Sequence, residues 1–131
     1  MEHNIKNKKE EIIIKELIKM KKVGITPNGK KYDKVLLGQV KEIAHKFQRK
    51  TREVEILALN NNLIPERYHR NLGVISPYEQ VKLLQSKIAI IGVGGLGGTV
   101  LELLARMGIG ELIIVDKDVM GDDNLNRQIL S

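Results

Sequence analysis

Four glycines, Gly92, Gly94, Gly95 and Gly97, fall between an apolar run, Ile88 to Ile91, and a second apolar stretch ending at Met107. They fit the pattern G-x-G-x-x-G, in which each glycine has a task. One permits a tight turn, one lets an anion reach the main chain, and one lets a helix pack closely on a strand. A helix opening at that point offers unpaired N–H groups and the positive end of its dipole to a phosphate. Asp116 lies 19 residues beyond Gly97, after the apolar run Leu112 to Val115, where a carboxylate can take ribose hydroxyls. Strand, glycine loop, helix, strand and acid together read as an adenine-nucleotide site, the alternative being a purely structural glycine turn.

Beyond Asp116 the polar residues crowd. Asp118, Asp122, Asp123, Asn124, Asn126 and Arg127 follow within a few positions. A cation and hydrogen-bond donors beside a nucleotide suit chemistry that moves charge onto a departing pyrophosphate. A hydride-transferring enzyme has no chemical need for Asn-x-x-Arg there, although the glycine loop and Asp116 alone fit an NAD(P)- or FAD-binding oxidoreductase half equally well. The plain alternative for Arg127 is a solvated side chain on a polar, helix-starting loop. His3, His45 and His69 are isolated and lack ligand-like spacing, and Asp122-Asp123 reads as solvated loop, so no metal site is expected. The absence of Cys excludes a disulfide framework, a thiolate metal site and a cysteine nucleophile within these 131 residues.

The elements that must carry these residues follow from periodicity. Ile88 to Val93 and Leu112 to Val115 read as buried strands covered on both faces. The helix between them has Val100, Leu103, Leu104 and Met107 as its packing face and Gly108 as its stop. This β-α-β order implies parallel strands. Upstream, Ser76-Pro77-Tyr78-Glu79 is a capping-box start for a short helix through Leu83 and Leu84. Residues 8–22 place Ile13, Leu17 and Met20 on one helical stripe, with Ile14 and Ile18 beside it. Pro27 and Asn28-Gly29 signal a tight reversal, a small hairpin. From about Asp33 the residues Leu36, Val40, Ile43, Phe47, Val54 and Leu57 recur at 3.5-residue steps, broken by Lys50. This predicts one helix of about 28 residues, roughly 40 Å long, with a seam for a helical partner. Asn60-Asn61-Asn62 and Pro65 are its stop signals.

Charge divides the chain. Residues 1–60 hold 15 Lys and Arg against 8 Asp and Glu, a surplus of seven, while residues 61–131 hold 7 against 8. The basic surplus describes the surface of the first segment: solvated helix faces, or a docking arm for a partner subunit or carrier protein. No nucleic-acid module or aromatic–basic interleave accompanies it, so nucleic acid is not the expected partner. No apolar run is long enough to span a bilayer, and the N-terminus lacks a signal-peptide core, which predicts a cytoplasmic protein.

From about Arg67 to Gln128 the chain resembles the ThiF/MoeB/HesA branch of the ubiquitin-like-protein activating enzymes. The matching pieces are Arg67-Tyr68-His69-Arg70, Ser86-Lys87-Ile88 leading into GVGGLGG, LARMGIG, VDKD at the second strand's end, and Asn124-Leu125-Asn126-Arg127-Gln128. The resemblance implies ATP with Mg²⁺ as cosubstrate and adenylation of the C-terminal glycine of a ubiquitin-like or sulfur-carrier protein ending in Gly-Gly. It further implies that Gly92, Gly94, Gly95 and Gly97 lie along the ATP, Asp116 holds the ribose with Asp118 close by, and Asn124 and Arg127 face the phosphates. Arg70 corresponds to the arginine that the family supplies across a homodimer to the γ-phosphate region. Arg70 and Arg127 are thus the catalytic candidates.

The expected fold class is α/β: an incomplete Rossmann-like parallel sheet (β-α-β) preceded by an α-helical N-terminal arm. Residues 1–62 form the basic helical hairpin or arm, and 63–131 the N-terminal part of a ThiF-type ATP-binding domain. The family pattern extends past Ser131 to a phosphate-contacting Lys, a Mg²⁺-placing Asp, further strands and, in many members, a zinc site. The chain therefore reads as a fragment that does not complete adenylation by itself, with strand faces left partly exposed. A third reading is a non-catalytic interaction module built on a vestigial nucleotide fold.

Overall fold

The computed structural model describes residues 2–92, 94–115 and 129–130. The chain forms two compact units, residues 1–81 and 82–131.

The first unit begins with α1 (Glu2–Met20), whose Ile13 and Leu17, one helical turn apart, are fully buried. Met20 packs on the same cluster, whereas Ile18 is exposed. The expected hairpin forms: β1 (Lys22–Ile25) pairs antiparallel with β2 (Lys31–Val35), with Gly24 opposite Tyr32. Its turn is tied by Thr26, whose N–H donates to the Lys30 carbonyl at 2.8 Å and whose hydroxyl oxygen accepts the Lys30 N–H at 2.9 Å. Gly29 takes φ +84°, the left-handed region that favours glycine.

The single long helix is not what forms. Asp33 lies in β2, and the rest divides into α2 (Leu37–Lys46) and α3 (Thr51–Asn60). Phe47 closes α2 through its N–H to the Ile43 carbonyl, and Gln48 turns to φ +53°. The reason is burial. The hydrophobic seam runs through the break, but folding back at 47–50 lets Val40, Ile43 and Ala44 of α2 join Val54 and Ala58 of α3 in one cluster with Ile13, Leu17, Val35 and Leu63. A straight rod would leave that seam waiting for another chain. Burying a side chain of this size is worth about 1.5–3 kcal/mol, so several such burials outweigh the few main-chain hydrogen bonds lost at the turn.

The triple-Asn stop behaves as predicted. Asn62 takes φ +57°, and the Leu63 N–H donates back to the Ala58 carbonyl at 2.9 Å, a Schellman-type ending. The chain then enters β3 (Ile64–Pro65), which pairs parallel with β2 through Lys34↔Ile64 and Val35↔Pro65. A 310 helix, Glu66–Asn71, follows at once. This pairing draws residues 63–71 into the first unit, which runs to Val81.

Helix α4 (Pro77–Leu84) starts as its sequence predicts, with the Ser76 hydroxyl oxygen accepting the Glu79 N–H at 3.1 Å. Glu79 reaches back to the Ser76 hydroxyl, also at 3.1 Å, in place of the backbone N–H that a capping box would use.

In the second unit β4 (Lys87–Ile91) and β5 (Glu111–Val115) pair parallel in register around α5 (Gly95–Met107), and β6 (Ile129–Leu130) adds antiparallel to β5. The class is α/β with a partial Rossmann-like unit, as expected. Burial alternates along the strands. Leu112 and Ile114 are buried with Ile88 and Ile90 half-buried in register beside them, while Ile91 is 79% and Val115 50% exposed. The expected cover on both faces is thus absent among the described residues, and the predicted partial exposure is present. The packing stripe of α5 also differs. Gly97, Leu101 and Leu104 are half-buried and Gly108 buried, whereas Val100, Leu103 and Met107 face out. This helix is apolar nearly all round, so its sequence pattern could not choose which stripe two strands would cover. Gly108, at φ +91°, ends it, with the Ile109 N–H bonded to the Leu104 carbonyl.

Candidate nucleotide-binding site

The register of β4 on β5 builds the candidate site. Ile91 lies opposite Val115, and the next residue, Gly92, donates its N–H to the Val115 carbonyl at 2.8 Å. The start of the glycine loop is thereby fixed beside the residue that precedes Asp116. Gly92 holds φ +84°, so its glycine is demanded by backbone conformation. Gly94 is different. Its φ of −62° suits any residue, and an added Cβ would meet nothing within 4 Å. Neither conformation nor packing among the described residues requires glycine there; what glycine preserves is room above the main chain.

Gly94 is also the N-cap of α5, and no side chain caps the helix. The Gly94 carbonyl accepts the Gly97 N–H at 2.7 Å and, more weakly, the Gly98 N–H at 3.4 Å. An uncapped helix start beside a glycine with open space above it is the geometry that receives a phosphate. Gly92 and Gly94 thus lead into α5, whose first turn holds Gly95 and Gly97. Asp116, Asp118, Asn124 and Arg127, with Asp122, Asp123 and Asn126, lie outside the described residues.

Arg70 stands in the first unit, exposed on the 310 helix, and among the described residues it forms no ion pair or side-chain hydrogen bond. Its neighbours are tied down. Arg67 donates from Nε to Glu55 Oε2 at 3.0 Å and from a terminal nitrogen to Oε1 at 2.5 Å, and Glu55 is only 1% exposed. Burial disfavours the charged guanidinium, but the hydrogen bonds and charge of Glu55 outweigh it and hold the Arg67 pKa above its ordinary value. Burial, then the Glu55 carboxylate, raise the Tyr68 phenol above its ordinary range, with the Arg67 charge opposing. Lys34 reaches Glu66 at 3.3 Å, and Asn71 Nδ2 donates to Gln80 Oε1 at 2.8 Å.

The Glu55–Arg67 pair was missed from sequence, although a signal existed. Glu55 sits between Val54 and Ile56 and one turn before Leu59, a carboxylate amid apolar positions that must find a cation if buried. Among the described residues no group of three His, Asp or Glu could hold a metal, and no helix is long and apolar enough to cross a membrane.

An open helix start at the carboxyl ends of parallel strands belongs to the Rossmann-like class of α/β units. Residues 68–131 match the ThiF family, and this segment belongs to it as the family's N-terminal portion. It is similar to the SAMP-activating enzyme E1 of Haloferax volcanii, 40% identical over 67 residues, or 50% of this chain and 25% of that protein. It is similar to the tRNA threonylcarbamoyladenosine dehydratase of Haemophilus influenzae, 41% identical over 68 residues, covering 49% of this chain and 26% of that one. The adenylyltransferase and sulfurtransferase UBA4 of Saccharomyces cerevisiae is 49% identical over 51 residues, 39% of this chain and 12% of the yeast protein. The chain thus spans about a quarter of the length of the first two relatives. No solved structure matches it.

Proposed function

We propose that the second unit supplies the nucleotide end of an ATP-dependent adenylation of a ubiquitin-like or sulfur-carrier protein. The observation that carries this reading is the Gly92 N–H to Val115 carbonyl bond, which sets the glycine loop and the approach to Asp116 side by side at an uncapped helix start. The names of the relatives support it: two are activating or adenylyl-transferring enzymes.

In the proposed reaction a carboxylate oxygen of the carrier's C-terminal glycine attacks the α-phosphorus of ATP. An acyl–phosphate bond forms, the α–β phosphoanhydride breaks, and pyrophosphate departs. The nucleophile belongs to the substrate, so the enzyme needs no nucleophile of its own. Its tasks are alignment and charge stabilisation. The N–H groups at the start of α5 would hold the phosphates, Asp116 the ribose, and Asn124, Arg127 and, from a second copy, Arg70 would take the charge developing on pyrophosphate. The room above Gly94 leaves the main chain there open to a phosphate. Mg²⁺ would enter with ATP and neutralise phosphate charge.

Isothermal titration of the purified chain with ATP, NAD and FAD tests the nucleotide. ATP binding with no response to the dinucleotides is expected; a preference for NAD or FAD would replace this reading with the oxidoreductase one. Carrier-dependent exchange of labelled pyrophosphate into ATP, by a form of the protein that binds ATP, tests the reaction.

A further inference from the structure

The sheet of the first unit runs in the order β1-β2-β3, so among the described residues β1 has a strand on one side only. The hairpin register tells which main-chain groups that edge presents. The Thr26 N–H donates to the Lys30 carbonyl at 2.8 Å, which makes Thr26 and Lys30 a bonded pair. Bonded and non-bonded pairs alternate along an antiparallel ladder. Gly24 with Tyr32 and Lys22 with Lys34 are therefore bonded pairs, whereas Val23 with Asp33 and Ile25 with Lys31 are not. The N–H and C=O groups of Val23 and Ile25 thus point away from β2, out of the open edge.

The side chains give this edge a chemistry. Val23 and Ile25, two positions apart and so on one face, are 63% and 67% exposed. On the other face Gly24 lies against the Tyr32 ring: an added Cβ would stand 2.7 Å from the Tyr32 hydroxyl. The ring of β2 thereby reaches over β1, and its hydroxyl has no hydrogen-bond partner among the described residues. Lys22 and Lys30 stand at the two neighbouring bonded pairs and form no ion pair among the described residues. Lys21 and Lys34 differ, being held by Asp33 and Glu66. The edge is therefore apolar on one face, and on the other it carries two uncompensated cations around a phenol.

We propose that β1 is a docking edge for an extended acidic segment of another protein, which adds to the sheet as a further strand by bonding the main chain of Val23 and Ile25. The segment that fits has apolar side chains beside Val23 and Ile25. Between them it has an acidic side chain over Gly24, facing Lys22, Lys30 and the Tyr32 hydroxyl. Charge decides against a second copy of this chain. Pairing β1 with β1 about Gly24 would satisfy the main chain, but it would set Lys22 of each copy in one row with Lys30 of the other. The assignment is independent of the nucleotide reading and stands if that reading fails.

Fluorescence anisotropy of a short labelled peptide of alternating Val and Glu, titrated with the full chain, tests the edge beside a peptide of alternating Val and Lys. The acidic peptide should bind at least about tenfold more tightly, and Lys22→Glu combined with Lys30→Glu should abolish that preference. Ile25→Pro deletes one outward N–H without removing a bond to β2, and should weaken the acidic peptide about tenfold. Two N-methylated forms of the acidic peptide, one blocked at every Val and the other at every Glu, make the same test on the unaltered chain. Only one set of N–H groups can face β1, so one form should lose binding and the other keep it. No binding of the acidic peptide, equal affinity for the acidic and basic peptides, or equal affinity for the two N-methylated forms would overturn the proposal. A dimer of the chain that Ile25→Pro dissociates, with no peptide bound, would also overturn it and give the edge to a second copy.

Discussion

Replacing Arg67 by Ala removes both donors that face the Glu55 carboxylate and leaves a group only 1% exposed without its counter-ion. Removing one member of a buried pair costs about 3–5 kcal/mol. The Arg67 side chain is itself 45% exposed, so water can enter its place, and the lower end of the range, about 3 kcal/mol, is the expected cost. For a unit the size of residues 1–81 this lowers the melting temperature by roughly 12–24 °C. The assay is available within the chain: its three tyrosines, Tyr32, Tyr68 and Tyr78, all fall in the first unit and there is no Trp, so tyrosine fluorescence follows that unit. Replacing both partners, as Glu55→Leu with Arg67→Met, should restore stability to within about 1 kcal/mol of wild type, because the buried charge goes with its counter-ion. A melting temperature lowered by less than about 4 °C in Arg67→Ala, or a double variant no more stable than the single, would refute the reasoning.

The two loop glycines should separate conformation from approach. Gly92→Ala, at φ +84°, should cost about 1–2 kcal/mol in urea unfolding of the second unit. Gly94→Ala should leave stability within about 0.5 kcal/mol yet weaken ATP binding at least about tenfold, since the new methyl occupies the room the phosphate needs. Ser76→Ala should destabilise by about 1 kcal/mol through loss of the helix cap, read from thermal unfolding. Tyr68 has a raised pKa, so the folded state keeps a proton that the unfolded chain releases; its contribution is complete below about pH 10 and is lost as pH rises beyond that. Between pH 9.5 and 11 the wild-type chain should therefore lose roughly 1 kcal/mol more than Tyr68→Phe, after allowance for partial solvent screening, and equal losses would contradict the assignment.

The glycine loop, the hairpin turn, the α4 cap and the end of α3 were legible because each depends on a few adjacent residues. Gly92, Asn28-Gly29, Ser76 with Glu79, and the run of Asn at 60–62 specify local backbone geometry whatever surrounds them. The break between α2 and α3 was not legible. Lys50 marked a flaw in the seam, but Gln48 carries no sequence signal for a positive φ, and the turn follows from the burial gained when Val40 and Ile43 meet Val54. The α5 stripe failed for a related cause, since an evenly apolar helix offers no contrast to read.

The residues alone thus determined the order strand–glycine loop–helix–strand and the family of the segment that carries it. The folded chain decided what sequence spacing could not express. Glu55 and Arg67 are twelve positions apart and meet because the chain reverses after α3 and enters the sheet at β3. Periodicity describes one element at a time, whereas a buried charge pair is a property of two elements and of the water both have left.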